Sequence, residues 1–263
     1  MSPLFKNRDW NIPQGVRIAF STRRDGVSEC PYESLNLGLH VGDSEEKVLL
    51  NRALIHERFG LPDFPAWLEQ THSTRVIEAD NQTVHNADGS YSDRLKQVCV
   101  VMTADCLPVL LCDRNGTEVA AVHAGWKGLC DGVIEVALDK FKSDKAHLIA
   151  YLGPAIGPDV FEVGEEVREM FVSQHPQSNI FFLEKEPSSS LKNEPSASEG
   201  ENSTPSNQKY LADLQGLARF RLNLAGVTEI YQADICTFKN FDDYFSYRRD
   251  KVTGRMASFI WLE

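Results

Sequence analysis

A cysteine and a histidine stand near opposite ends of one apolar hairpin in TADCLPVLLCDRNGTEVAAVHAGWKG, residues 103–128. LPVLLC and TEVAAV flank DRNG, a strong turn signal. With that turn, Cys106 and His123 are predicted to face each other or nearly so, with Cβ atoms about 4.5–5.5 Å apart. Such a separation suits a shared metal ion, with bonds of about 2.3 Å to sulfur and 2.0–2.1 Å to nitrogen. It suits a thiolate–imidazolium couple equally well. The flanking Thr103-Ala104-Asp105 and Ala124-Gly125 are small or polar and leave the hairpin mouth uncapped. His72, in LEQTHSTR, lies where an apolar strand gives way to polar residues. If that strand neighbours the hairpin, His72, Cys106 and His123 form an N/N/S set with an open fourth position, the ligand count of catalytic zinc. Spacing alone does not join His72 to the other two. Buried packing is the reading for Cys99, Cys112 and Cys130. His40, His56, His85, His147 and His175 read as loop or surface residues without a role.

The elements that must position these residues are mixed α and β. GVRIAFSTR (15–23) is strand-like. Asp43 with Glu46 offers a capping box for a helix running to about Phe59, with Val48, Leu49, Ala53, Leu54 and Phe59 on its buried side. AWLEQTHSTRVIEA (66–79) reads as one or two strands passing through His72. VCVVMTA (98–104) is an apolar run typical of a strand covered on both faces. GLCDGVIEVALDKF reads as a helix and AHLIAYLG as a buried strand. VGEEVREMFVSQ and YLADLQGLARFRLNLAG read as amphipathic helices, and the chain closes with a predicted hairpin, YFSYRRD–KVTG–RMASFIWL. PSSSLKNEPSASEGENSTPSNQ (187–208), with Leu191 its one large apolar residue, reads as a disordered surface insertion.

At 263 residues and 42% hydrophobic composition the chain can bury a sizeable core. A formal charge of −11 argues against a nucleic-acid or anionic-membrane surface. No apolar run approaches the ~20 residues of a membrane span, and MSPLFKNRDWNIP lacks a signal-peptide core, so a cytoplasmic location is expected. Six cysteines in a chain of this length are not a disulfide scaffold. GxxxxGK[ST] and GxGxxG fingerprints are absent, which disfavours ATP and dinucleotide chemistry.

QTHSTRV, VVMTADCLPVLL, AAVHAGWKGLCDGV, LGPAIGPDVFEVGEEV and FSYRRDKVTGRMASFIWL, in this order, resemble the bacterial laccase-domain (multicopper polyphenol oxidase) family. That family is now described as purine nucleoside phosphorylases with adenosine deaminase activity, and peptidoglycan editing factors belong to it. The resemblance spans about residues 14–263 apart from the insertion. It implies an α+β fold of one domain (1–263), with mixed sheets sandwiched by helices in four layers (α/β/β/α). It implies zinc on His72, Cys106 and His123, with copper as an alternative. The implied activities are phosphorolysis of adenosine, inosine, guanosine and methylthioadenosine, and deamination of adenosine. Older work on the family implies phenol oxidation, and its closest bacterial members imply editing of peptidoglycan precursors. One departure is Asp25, in TRRDGVS, where the family has the first glycine of TRxGGVS. If that glycine needs φ > 0, Asp tolerates the conformation better than most residues.

For that chemistry Asp105 is the first candidate to carry a proton, with turn capping as its alternative role and Asp88 the second candidate. Cys106 and His123 belong to the predicted catalytic set as well as to the metal set. Lys127, Arg248, Arg249, Arg23 and Arg52 are candidates for the phosphate, Asn36 and Gln70 for ribose or base, and Trp126 for stacking. The expected partners are a purine nucleoside and phosphate, without nucleic acid or membrane, in a monomer or weak homo-oligomer. The rival readings are a copper-dependent phenol oxidase, a metal-free hydrolase with Cys106 as nucleophile and His123 as base, and a non-enzymatic peptidoglycan-precursor binding module.

Overall fold

Along the central strands the apolar residues alternate, and the alternation sorts them into separate layers. In the strand Leu107–Asp113, Leu107, Val109 and Leu111 pack to one side, while Leu110 and Cys112 pack to the other. The strand Leu148–Leu152 does the same, with Leu148, Ala150 and Leu152 on the first side and Ile149 and Tyr151 on the second. Both belong to a six-stranded sheet in the order Glu229–Gln232, Leu148–Leu152, Leu107–Asp113, Val119–Ala124, Gly89–Ser92 and Val76–Glu78. This is seen in a computed structural model that describes residues 10–186 and 208–263.

A three-stranded sheet, Val16–Phe20, Met256–Leu262 and Cys99–Thr103, faces the second side of that sheet. Its inner residues include Val16, Ile18, Phe20, Cys99, Val101, Ile260 and Leu262. Its outer residues, among them Val100, Met102, Phe259 and Trp261, meet Ile55 of the helix Glu45–Phe59. On the far side of the six-stranded sheet lie the helices Trp126–Asp131, Val133–Leu138, Glu165–Gln174 and Leu214–Leu224. The layer order is therefore helix, sheet, sheet, helix, as the family resemblance implies. The apolar run VCVVMTA is covered on both faces because it lies in an inner layer.

Four local expectations are corrected. The capping box does not form, because Ser44 is the N-cap residue and Asp43 instead accepts from the Ser28 hydroxyl and the Asn36 amide. The same helix buries Val48, Asn51 and Ile55, whereas Leu49 is half exposed and Ala53 is exposed. A polar residue holds the buried stripe because the Asn51 amide bonds to Val27 N, Ser28 Oγ, Ser34 O and Asn36 O, which satisfies all its groups. GLCDGVIEVALDKF forms two helices, broken at Gly132, whose φ of 100° stops the first. The closing hairpin is absent: Tyr247–Asp250 is a short helix, and Met256–Leu262 pairs instead with Val16–Phe20 and Cys99–Thr103.

Asp25 has φ 64°, the left-handed conformation expected if the family's glycine is needed there. Apart from Gln208, the 187–208 insertion lies outside the described residues. Among the described residues no helix is long and apolar enough to cross a membrane.

Candidate metal centre and active-site cavity

The hairpin register places Pro108, rather than Cys106, opposite His123. Cys106 comes one residue before the strand and reaches the histidine diagonally, after Asp105, whose φ of 88° turns the chain into the strand. His72 lies on the loop between Leu68–Glu69 and Val76–Glu78 and itself has φ 60°. Two residues in the left-handed region at one site indicate that the surrounding structure holds them there.

Asp88 is what holds the loop. Its carboxylate, fully buried, accepts from the backbone amides of Thr71 (3.2 Å), His72 (3.0 Å) and Ser73 (2.6 Å) and from the Ser73 hydroxyl (2.6 Å). The same carboxylate lies 2.8 Å from His123 Nδ1, and the His123 amide donates to the Asp88 carbonyl at 2.7 Å. One residue thus ties the His72 loop to the His123 strand. It also commits Nδ1 of His123 and leaves Nε2 for another partner.

One donor atom from each of His72, Cys106 and His123 lies within 4.8 Å of the others. Cys106 Sγ is 3.7 Å from His72 Nε2. A tetrahedral zinc with ordinary bond lengths would put sulfur and nitrogen about 3.6 Å apart, so the donor set fits the ion. Gly125 makes this approach possible: a Cβ there would lie 2.6 Å from His72 Cδ2 and 3.2 Å from the thiol. The trio opens into a cavity of about 400 Å³ lined also by His40, Gln70, Met102, Tyr247 and Arg255.

A family described as multi-copper polyphenol oxidoreductase laccase matches residues 17–263 of the chain. The chain belongs to this family. A relative from Shigella flexneri named purine nucleoside phosphorylase YfiH is 47% identical over 255 residues, covering 96% of each chain. A Haemophilus influenzae purine nucleoside phosphorylase is also 47% identical, over 98% of each chain. Among solved structures, a Neisseria meningitidis DUF152 protein is 45% identical with a TM-score of 0.85, covering 97% of each chain. YlmD from Geobacillus stearothermophilus is 26% identical with a TM-score of 0.81, covering 100% of this chain and 94% of that one.

In this laccase-family chain the other predicted site residues are spread unevenly. Gln70 lines the cavity, but its amide pairs with the backbone of Met102 in both directions, each bond 2.7 Å. Asp105 has the surroundings of its alternative, structural role: its carboxylate accepts from Thr237 Oγ1, Ser246 Oγ and the Arg248 amide. These bonds tie the 237–248 segment to the residue before Cys106. Lys127 points away, ion-paired to Asp131 one helical turn on. The Arg248 guanidinium lies over Phe161, and Arg249 donates to the carbonyls of Thr237, Phe238 and Tyr244. Arg23 donates to Glu33 and Phe241 carbonyls outside the cavity. Asn36 is buried behind the cavity wall, bonded to Gly38, Asp43 and Arg255. Arg52 stacks on Trp67 and donates twice to the Leu37 carbonyl, and burial draws its pKa down to about 10. Trp126 packs against the helical core.

The cavity residues that sequence reasoning missed are His40, Tyr247 and Arg255. Arg255 sits inside the matched motif FSYRRDKVTGRMASFIWL, which was the one signal available for it. His40 had none.

Two of the trio, Cys106 and His123, also form an electrostatic pair. Burial pushes the Cys106 thiol up, but the charge of His123 and hydrogen bonds from both histidines outweigh it and bring the thiol to about 6. Burial likewise pushes His123 down, while the thiolate and Asp88 raise it to about 9. The lowered thiol favours the folded state above its ordinary pKa and loses that contribution as pH falls through about 6; the raised imidazole loses its contribution as pH rises through about 9. In chelator-treated protein, iodoacetamide is therefore expected to alkylate Cys106 with a midpoint near pH 6. Peptide mass mapping checks this, and a midpoint above 8 would contradict the ion pair.

Proposed function

We propose that this protein is a zinc-dependent purine nucleoside phosphorylase that also deaminates adenosine, with inosine, guanosine and methylthioadenosine as further substrates. One observation carries the reading: a three-donor cluster opens into a cavity lined by Arg255, His40 and Tyr247 and by no carboxylate. In a chain of charge −11 the Arg255 guanidinium, with no carboxylate on the same wall, is a seat for a small anion beside a Lewis-acid position. The names of the close relatives support the same substrate class.

Zinc held by His72, Cys106 and His123 would supply Lewis acidity toward an oxygen or nitrogen of the substrate or toward water. No fourth His, Cys, Asp or Glu joins the cluster among the described residues, which favours a catalytic over a purely structural ion and weighs against the binding-module reading. The chain's own contribution is to orient His123 through Asp88 and to shape a pocket that takes a nucleoside and phosphate. In phosphorolysis a phosphate oxygen bonds to ribose C1′ as the C1′–N bond breaks. The bond's electron pair leaves with the purine, which ends with the proton given up by hydrogen phosphate. In deamination the oxygen of water bonds to C6 as the C6–N6 bond breaks. One water proton passes to the amine, which leaves as ammonia, and the other ends on the purine N1. With Asp105 and Asp88 engaged elsewhere, His40 is the lining residue suited to carry that proton. Burial and the neighbouring Arg255 and Arg52 lower its pKa, so it is neutral near pH 7 and able to accept.

The described residues hold one such cluster, so they offer no second copper seat, and phenol oxidation would require copper in place of zinc. A link to peptidoglycan editing is part of the proposal through the family resemblance alone. The metal-free cysteine hydrolase is the second reading, favoured by the Cys106–His123 ion pair.

Protein purified without added metal is expected to carry up to one equivalent of zinc. With adenosine and phosphate it should yield adenine, hypoxanthine and ribose 1-phosphate on chromatography. Absence of all three products would overturn the proposal, and full turnover in strong chelator would transfer it to the hydrolase.

A further inference from the structure

Of the cations near the cavity, Arg255 differs from the rest in what its side chain is left free to do. Its backbone is clamped: its amide donates to Asn36 Oδ1 at 2.9 Å, and its carbonyl accepts from the Leu37 amide at 3.1 Å. Its stem passes over Gly38, where a Cβ would lie 2.8 Å from Arg255 Cγ, so a side chain at 38 would push the stem aside. Its plane is set by Nη1, which donates to the carbonyls of Thr253 (3.0 Å) and Gly254 (3.1 Å). The guanidinium carbon lies 5.9 Å from the ring centre of Tyr247.

No hydrogen bond among the described residues engages Nε or Nη2. No Asp or Glu lines the cavity, and the nearby Asp105 carboxylate already accepts three bonds from other groups. Lys127, by contrast, is ion-paired to Asp131 on the surface, and Arg52 is turned onto the Leu37 carbonyl and the Trp67 face. A half-buried guanidinium with no salt-bridge partner among the described residues is costly, and the charges of Cys106 and Asp105, without direct contact, offset that cost only in part. A bound anion relieves it. The free Nε and Nη2 form a two-donor fork that matches a tetrahedral oxyanion.

We propose that Arg255 is the phosphate-recognising residue of this cavity, with His40 beside it, an assignment that rests on the phosphorylase reading. Inorganic phosphate held on the fork sits in the same cavity as the His72–Cys106–His123 trio. The fork binds two oxygens, leaving a third free to attack C1′ of a nucleoside in the remaining space.

The test is calorimetric titration of the zinc-containing protein with inorganic phosphate, together with steady-state kinetics. The wild type should bind phosphate, and Arg255→Gln should bind it roughly 10- to 100-fold more weakly, as expected for loss of a charge-assisted fork. The KM for phosphate should rise by a similar factor, with less than a threefold change in the KM for adenosine. Arg255→Lys, which keeps the charge but loses the fork, should fall between, and Lys127→Ala should match the wild type. Zinc content of each variant reports whether the site has kept its shape. Equal phosphate binding by wild type and Arg255→Gln, no binding by the wild type, or equal rises in both KM values would overturn the assignment. A wild type that binds phosphate through Arg255 but releases no ribose 1-phosphate would instead sink the functional reading and leave the anion site standing.

Discussion

Replacement of Cys106 by alanine is expected to leave a folded protein that retains less than about a tenth of its zinc and loses on the order of 10³-fold in nucleoside turnover. The thiolate is the one ligand of the three that carries charge, so its removal leaves two imidazoles to hold a divalent cation in a partly open site. The side chain is small and only partly buried, and its hydrogen-bond partner His72 is exposed. The variant should therefore still fold, with the metal-free protein losing the stabilisation of the thiolate–imidazolium pair, on the order of 1–2 kcal/mol near pH 7. Elemental analysis and thermal melts of the wild type and variant, each with and without chelator, separate the terms. A variant that keeps its zinc and its turnover would remove the metal centre from the mechanism. A variant that keeps its zinc but loses turnover would favour Cys106 as a nucleophile.

The second large effect is expected at Asp88, which touches neither the cavity nor a substrate. Asp88→Asn should weaken zinc binding by about 10- to 100-fold, the usual cost of removing a carboxylate behind a ligating histidine. It should also destabilise the metal-free fold by roughly 2 kcal/mol or more near neutral pH. An asparagine offers one acceptor oxygen where the native side chain offers two, so its amide NH₂ faces donors whichever way it is turned. The donors at stake are His123 Nδ1, the amides of Thr71, His72 and Ser73, and the Ser73 hydroxyl.

The pH dependence gives this variant a signature. Burial alone would push the Asp88 carboxyl up, but hydrogen bonds from His123 and Ser73 bring it down to about 2. Its stabilising contribution is complete above the ordinary carboxyl pKa and is lost as pH falls through about 2. Denaturant titrations of the metal-free proteins should thus show a gap between wild type and variant at pH 7 that narrows below pH 4. A gap independent of pH would mean that the carboxylate charge is not what holds the loop.

Asp88 and Asp105 show what reading a sequence for chemistry leaves open. Asp105 adjoins a ligand in the chain and was the first choice as proton carrier, yet three donors from residues 237–248 hold its carboxylate. Asp88 lies well away in sequence from both His72 and His123 and joins them in space. The carboxylate next to a ligand in sequence and the one next to it in space are set by different constraints. The bend at residues 104–106 fixes the first, and strand pairing between Gly89–Ser92 and Val119–Ala124 fixes the second.

By itself the sequence determined most of the local elements, because alternation of apolar residues and turn chemistry act over a few residues; the four-layer order was legible only through the family resemblance. The sequence was also enough, through its long motifs, to place the chain in its family and to nominate His72, Cys106 and His123. Only the tertiary structure decided the contents of the cavity. Residues 40, 72, 106, 123, 247 and 255 enter it from five separated stretches of chain, and no local pattern records which side chains turn inward together. The same holds for Asn51, whose place on a buried helical stripe depends on loop groups 15 to 24 residues away. Charge went the same way: a chain with net −11 places Arg255 on a cavity wall that holds no carboxylate, since composition averages over the surface while folding chooses which few charges share a wall.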